Sequence, residues 1–157
     1  MCDIKIELMN NNHIEGVMVV ENISFTVPWS MDAFFQEVNQ NEFAIYFVAI
    51  VEGKVVGYAG VWVICDEGHI TNIAVHPDFR RKGIGSLLME KLITYAKAHD
   101  VAVMTLDVRA GNDAAKNMYA KFGFKKGGLR KEYYSDNLED AEIMVNDVIQ
   151  KRGSTDV

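Results

Sequence analysis

The chain has 157 residues, 49% of them hydrophobic and 24% charged, with a formal net charge of −6. That length suits one domain with a full core, and the composition excludes a disordered or low-complexity chain. No run of about 18 apolar residues occurs, so no transmembrane helix is expected, and the acidic balance argues against general binding to DNA or RNA.

The first residues, "MCDIKIELMN", carry an acid early and no long apolar stretch. No signal peptide is expected, and the protein is expected in the cytoplasm. Residues 4–9 alternate and predict a strand. Ile14, Val17, Met18 and Ile23 then recur at helical spacing over 10–25, with Asn12 as the cap. Pro28, in "TVPWS", stops that helix, and Ser30 caps a second one over 31–40. Residues 43–51 form a β-rich run, "EGK" a tight turn and 55–64 the next strand, which makes a hairpin. "DEG" turns into 69–75, a third antiparallel strand.

From Gly83 to His99 the apolar residues recur at three- and four-residue steps, which predicts a strong helix. Residues 101–108 read as a buried strand. "AGN" punctuates, and 113–122 is a helix that Gly123 terminates. Residues 124–134 and 141–147 read as two late strands around an acidic loop, "SDNLED". The tail from residue 150 has no apolar period and is expected to fray, leaving a single domain over 1–149. The order β α α β β β α β α β β describes an α/β domain with a mixed sheet.

Cys2 and Cys65 form no metal or redox spacing and read as a free terminal thiol and a small strand residue. His13, His69, His76 and His99 are scattered, which favours surface or turn roles over metal ligation. No metal site is expected.

The segment "RRKGIG" at 80–85 stands between a strand and a helix. Two glycines let backbone N–H groups approach a ligand without Cβ obstruction. Those groups belong to the open first turn of the helix, whose dipole favours an anion. Taken alone, a simple turn with solvated cations explains the same residues. The Walker loop is absent. The dinucleotide fingerprint fails because Leu88 stands where its third glycine belongs.

What remains is Arg-x-x-Gly-x-Gly directly after "IAVHPDF". With "NIAVHPDFRRKGIGSLL", "LDVRAGNDAAKNMYAKFGF" and the late "YY" in order, nearly the whole chain resembles the GNAT superfamily of N-acetyltransferases. "VPWS", "NMYAKFGF" and "RKEYYSDNLEDAEIM" resemble its ribosomal-protein alanine N-acetyltransferase branch. The resemblance implies a mixed, mostly antiparallel seven-stranded sheet flanked by about four helices. It implies acetyl-CoA as co-substrate and the N-terminal peptide of a small-subunit ribosomal protein as acceptor. Arg81, Lys82, Gly83, Ile84, Gly85 and Ser86 would cradle the pyrophosphate. Ile73, Ala74 and Val75 would offer backbone groups to the pantetheine arm, and one of their N–H groups to the oxyanion. Asn112 would contact the cofactor, cap the following helix, or do both.

Acetyl transfer to an amine needs a base for the amine proton and an acid for the leaving thiolate. Asp107, an acid near the C-terminal end of an apolar strand, is the candidate base, directly or through water. The plain alternative is an ion pair with Arg109 on the same strand face. The resembling family usually carries Glu there, one CH₂ longer. Tyr119 is the candidate acid, with a core aromatic of satisfied hydroxyl as its alternative. Trp29, Tyr133 and Tyr134 line the peptide side or pack as ordinary aromatics. Glu139, Asp140 and Glu142 attract a basic peptide or form a solvated loop. Two rival functions remain: transfer to another amine (a polyamine, an antibiotic or a lysine side chain) and acyl-CoA sensing without turnover.

Overall fold

The computed structural model describes residues 3–150. The expectations for Cys2 and for 151–157 fall outside the described residues. The elements run β1 (Ile4–Leu8), α1 (Ile14–Ser24), α2 (Met31–Asn39), β2 (Ala44–Val51), β3 (Lys54–Ile64) and β4 (Glu67–Val75), then α3 (Ile84–Ala98), β5 (Val103–Arg109), α4 (Asp113–Lys121), β6 (Lys125–Arg130) and β7 (Ala141–Asn146). This is the order expected from the sequence. The strands form one mixed sheet, ordered β1-β2-β3-β4-β5-β7-β6. Pairing is antiparallel for β1 with β2, β2 with β3, β5 with β7 and β6 with β7. β4 and β5 run parallel over Glu67–His69. The chain divides into two compact units, Met1–Trp62 with Thr71–Thr94 and Val63–Ile70 with Tyr95–Val157.

In unit 1 a core of Met9, Ile14, Val17, Val20, Phe34, Tyr46, Val48 and Tyr58 is buried. Helix α1 buries Ile14, Val17, Val20 and Glu21 along one stripe. Ile23, expected on that stripe, is 53% exposed. The carboxylate of Glu21 takes an inward position that hydropathy alone assigns to an apolar residue. The cap also differs from expectation, because Asn10 caps a 3-10 turn, Asn11–His13, that leads into α1. Asn10 accepts the Asn12 N–H at 2.9 Å, and His13 Nδ1 accepts the Asn10 N–H at 3.0 Å. Two reciprocal bonds satisfy more of the open turn than a cap at Asn12. Ser30 caps α2 as expected, accepting the Ala33 N–H at 3.1 Å.

Cys65 is an exposed turn residue with φ 55°, not a strand residue. It reverses the chain between β3 and β4, one residue earlier than "DEG" suggests.

In unit 2 Asn112 caps α4, accepting the Ala115 N–H at 3.2 Å. Strand β6 stops at Arg130, so Tyr133 and Tyr134 lie on a loop rather than on the late strand expected over 124–134. Glu132, with φ 51°, breaks the extended backbone. Asn146 is fully buried and donates to the Phe122 carbonyl at 2.8 Å. Gln150 donates to the Val101 carbonyl at 2.8 Å.

Gly60 stands opposite Tyr46 across the β2–β3 ladder, and a Cβ there would overlap the Tyr46 ring. Gly60→Ala is expected to lower stability by about 1–3 kcal/mol through overpacking, read as a lower melting temperature.

Candidate active site

Unit 1 holds the glycine loop. Strand β4 ends at Val75, and Arg80 Nε donates back to the Val75 carbonyl at 3.0 Å. Arg81 (φ 63°) and Gly83 (φ 81°) both lie in the left-handed region. Gly83 adopts it freely, whereas Arg81 does so at a cost of about 1–2 kcal/mol. The Gly83 carbonyl accepts the Leu87 N–H at 3.0 Å, so α3 begins at once. The N–H groups of Ile84, Gly85 and Ser86 therefore belong to its open first turn. A Cβ on Gly83 would meet no atom within 4 Å, so the space beside the loop is open. Backbone donors, the helix dipole and open space together make a place for an anion. Arg81 and Lys82 are exposed. Lys82 Nζ sits 5.2 Å from the centre of the Phe79 ring, which occupies part of its reach.

Ile73, Ala74 and Val75 lie at the C-terminal end of β4. Trp29 is half-buried, with its ring 5.3 Å from Phe34. Of its two readings, packing in unit 1 is the one with visible contacts. A concave surface of about 1090 Å³ in this unit is lined by Lys5, Glu7, His13, His76 and Phe79, among others, and by none of the candidate catalytic, cofactor-binding or acceptor residues.

Unit 2 gathers the ionisable residues. Along β5, Met104, Leu106 and Val108 are buried, and Thr105, Asp107 and Arg109 take the opposite face. The Asp107 side chain is 15% exposed and pairs with Arg130 Nε at 3.2 Å. Its expected partner Arg109 is engaged elsewhere, with Asp136 at 2.8 Å and Glu139 at 3.4 Å. The loop carboxylates and the Tyr134 ring, 4.0 Å from the guanidinium, draw Arg109 away from its own strand neighbour. Arg130 also lies 5.7 Å from the Tyr133 ring.

Partial burial first, then the Asp107 carboxylate, push the Tyr134 phenol up to about 12. Tyr119 is 6% exposed and packs against Phe124. Burial, reinforced by Tyr134, raises its phenol well above the ordinary tyrosine value. No hydrogen bond to its hydroxyl forms among the described residues, unlike the satisfied core tyrosine of the alternative reading. Tyr134 thus couples electrostatically to both Asp107 and Tyr119.

Three residues of interest carry no motif. Arg130 lies in a basic run and gives no sign of its partner. His69 is half-buried on β4, with Nδ1 2.9 Å from Thr105 Oγ1, so its role is neither surface nor turn. Burial pushes its imidazole down, against the pull of Asp107. Glu21 is hidden in an apolar stripe. The acidic loop is neither a free attractor nor simply solvated. Glu139 accepts the Gly111 N–H at 2.8 Å, Asp140 accepts the Glu132 N–H at 2.8 Å, and Glu142 pairs with Lys116 at 3.5 Å. Among the described residues no group of three His, Cys, Asp or Glu is arranged to hold a metal. No described helix is long and apolar enough to cross a membrane.

A family model described as Acetyltransferase (GNAT) family matches residues 14–124. The chain belongs to the GNAT acetyltransferase family. It is similar to the [ribosomal protein bS18]-alanine N-acetyltransferase of Escherichia coli (strain K12), with 39% identity over 127 residues, 80% of this chain and 84% of the relative. A Bacillus subtilis (strain 168) protein that carries this name provisionally is 40% identical over 136 residues, 87% of this chain and 90% of its own. The crystal structure of the ribosomal-protein-S18-alanine N-acetyltransferase from Escherichia coli superposes with a TM-score of 0.84 and 34% identity, covering 92% of this chain and 93% of the other. This GNAT protein is therefore an N-acetyltransferase, and its seven-stranded mixed sheet is the family's fold.

Glu139 holds the loop to Gly111. The Gly111 N–H, and then Arg109, lower its carboxyl below the ordinary glutamate value of 4.5. A lowered folded value stabilises above 4.5, and that contribution disappears as pH falls through the folded value. Exchange of the Gly111 amide is expected to lose protection on acidification below 4.5, and Glu139→Gln to abolish that pH dependence.

Proposed function

We propose that this N-acetyltransferase moves the acetyl group of acetyl-CoA to the N-terminal alanine amine of a small-subunit ribosomal protein. The reaction is direct attack in a ternary complex, in the cytoplasm, carried by one domain over residues 1–149. The observation that carries this reading is Asp107, held on the polar face of β5 by Arg130 at 3.2 Å, in a chain 39% identical to a bS18-alanine N-acetyltransferase.

The residues present suit acetyl-CoA. The open space beside Gly83 and the first-turn N–H groups of Ile84, Gly85 and Ser86 fit a pyrophosphate. Ile73, Ala74 and Val75 would align the pantetheine arm by backbone contacts, and Asn112 would combine its cap with a cofactor contact. Acetyl-CoA supplies the activated acetyl group as a thioester.

The α-amine, with an ordinary pKa of about 7.7–8.0, is partly protonated at neutral pH. Asp107 takes a proton from it, directly or through a water. Arg130, 3.2 Å away, holds the carboxylate in place. The amine nitrogen forms a bond to the acetyl carbon and the carbon–sulfur bond breaks. A β4 backbone N–H receives the developing oxyanion. Tyr119 gives its proton to the leaving sulfur. Its raised phenol keeps that proton throughout the neutral range. In unit 2 Tyr133 and Tyr134, and in unit 1 the Trp29 loop, are the proposed contacts of the acceptor peptide.

The deciding experiment incubates the protein with acetyl-CoA and peptides that differ only in the first residue, and locates the acetyl group by mass spectrometry. Alanine-first peptides are expected to be the best acceptors. Turnover of polyamines or lysine side chains alone overturns the acceptor, and coenzyme A binding without any product makes the protein a sensor.

Tyr119→Phe is expected to slow turnover by about 10²–10⁴-fold, while the parent's rate shows no loss toward the ordinary tyrosine value of 10.0. Asp107→Asn is expected to lose activity that Asp107→Glu retains at least in part. Gly83→Val, strained at φ 81°, is expected to weaken coenzyme A binding more than Lys82→Ala, measured by calorimetry. The reverse order would assign the grip to the cationic side chain.

A further inference from the structure

Glu21 is 2% exposed on the inner face of α1, and no cation pairs with it among the described residues. Burial pushes its carboxyl up, and its bonds to Tyr58 and Trp29 pull the other way. An isolated buried carboxyl is costly, and a well-packed apolar residue at such a place is often no worse for stability. Its hydrogen bonds say what it does. One oxygen accepts the Tyr58 hydroxyl proton from β3. The other accepts the backbone N–H of Trp29 at 2.8 Å. Tyr58 is itself fully buried and packs edge-on against Phe34 at 5.6 Å, so it is a fixed anchor.

The loop between α1 and α2 is thereby tied to the sheet through its backbone. The Trp29 side chain turns in against Phe34, whereas Phe25 and Val27 stand 37% and 64% exposed. A backbone bond from a buried carboxylate is strong and directional. It fixes the backbone at Trp29, in the loop that carries the exposed Phe25 and Val27.

We infer that Glu21 is a positioning residue for the acceptor: bridging Tyr58 on β3 and the Trp29 backbone, it fixes residues 25–30 in the conformation that receives the peptide. This rests on the reading of the Trp29 loop as part of the acceptor side. The loop's exposed Phe25 and Val27 are its surface for the peptide, and the carboxylate itself stays out of the reaction.

The test compares the parent with Glu21→Gln, and with Glu21→Leu combined with Tyr58→Phe. Glutamine keeps the size but presents an N–H₂ to one of two donors. The double variant removes the buried polar pair and leaves the Trp29 N–H unpaired, and it is expected to fold because no lone carboxyl is left buried. Both are expected to raise amide exchange across 25–30 and to raise the peptide KM by roughly tenfold or more. The KM for acetyl-CoA is expected to stay within about twofold, and kcat to change less than the peptide KM. A folded variant with the parent's loop exchange or peptide KM overturns the inference. So does an equal rise in both KM values, which marks a purely structural role. A parent that acetylates no peptide defeats the acceptor reading itself, and this inference with it. A parent that acetylates peptides and is indifferent to Glu21 defeats the inference alone.

Discussion

Strand β5 can bury Met104, Leu106 and Val108 only by turning Thr105, Asp107 and Arg109 to the opposite face. The rest of unit 2's chemistry depends on that alternation. A shift of one residue would drive a carboxylate and a guanidinium into the core. Held in register by β7, with Asp107 opposite Ile143, the polar face of β5 is reached by side chains from the end of β6, beyond β7, and from the loop after it. Arg130 then finds Asp107, and the loop carboxylates find Arg109. The two cations are separated by what each strand can reach, so neighbours in sequence are not partners in space.

Unit 1 solves a different problem. It must stop a strand, turn sharply and start a helix while leaving the helix's first N–H groups free. Two left-handed residues at Arg81 and Gly83 accomplish this within a few residues. The strain at Arg81 is of the kind that surrounding structure must compensate, and the Arg80 bond to the Val75 carbonyl ties the turn to its strand. Glu21 shows the same pattern in the core of this unit. A locally unfavourable group persists because two directional bonds use it.

Legibility from the sequence varied with the range of the interaction. The turn at "RRKGIG", the Ser30 cap and the break at Pro28 are signals carried by a few adjacent residues, and all stand in the structure. The cap at Asn10 was misplaced by two residues because the reciprocal bond to His13 is geometric and leaves no compositional trace. Ile23 fell off the buried stripe because periodicity cannot say that a glutamate will take an inward place. Cys65 read as a strand residue because its left-handed φ is a property of the two-residue turn, not of cysteine. The acidic loop looked free because charge counts do not reveal backbone donors such as Gly111 and Glu132.

The sequence by itself determined the order of elements, the α/β class, the glycine turn before α3 and the family. Each of these follows from apolar spacing, from glycine and proline, or from motifs read along the chain. Only the tertiary structure decided which cation holds Asp107, how far Tyr119 and Tyr134 are pushed from ordinary phenols, and that Glu21 grips Trp29. The physical reason is that desolvation and pairing depend on atoms brought together by strand register and burial, between residues that no local pattern connects.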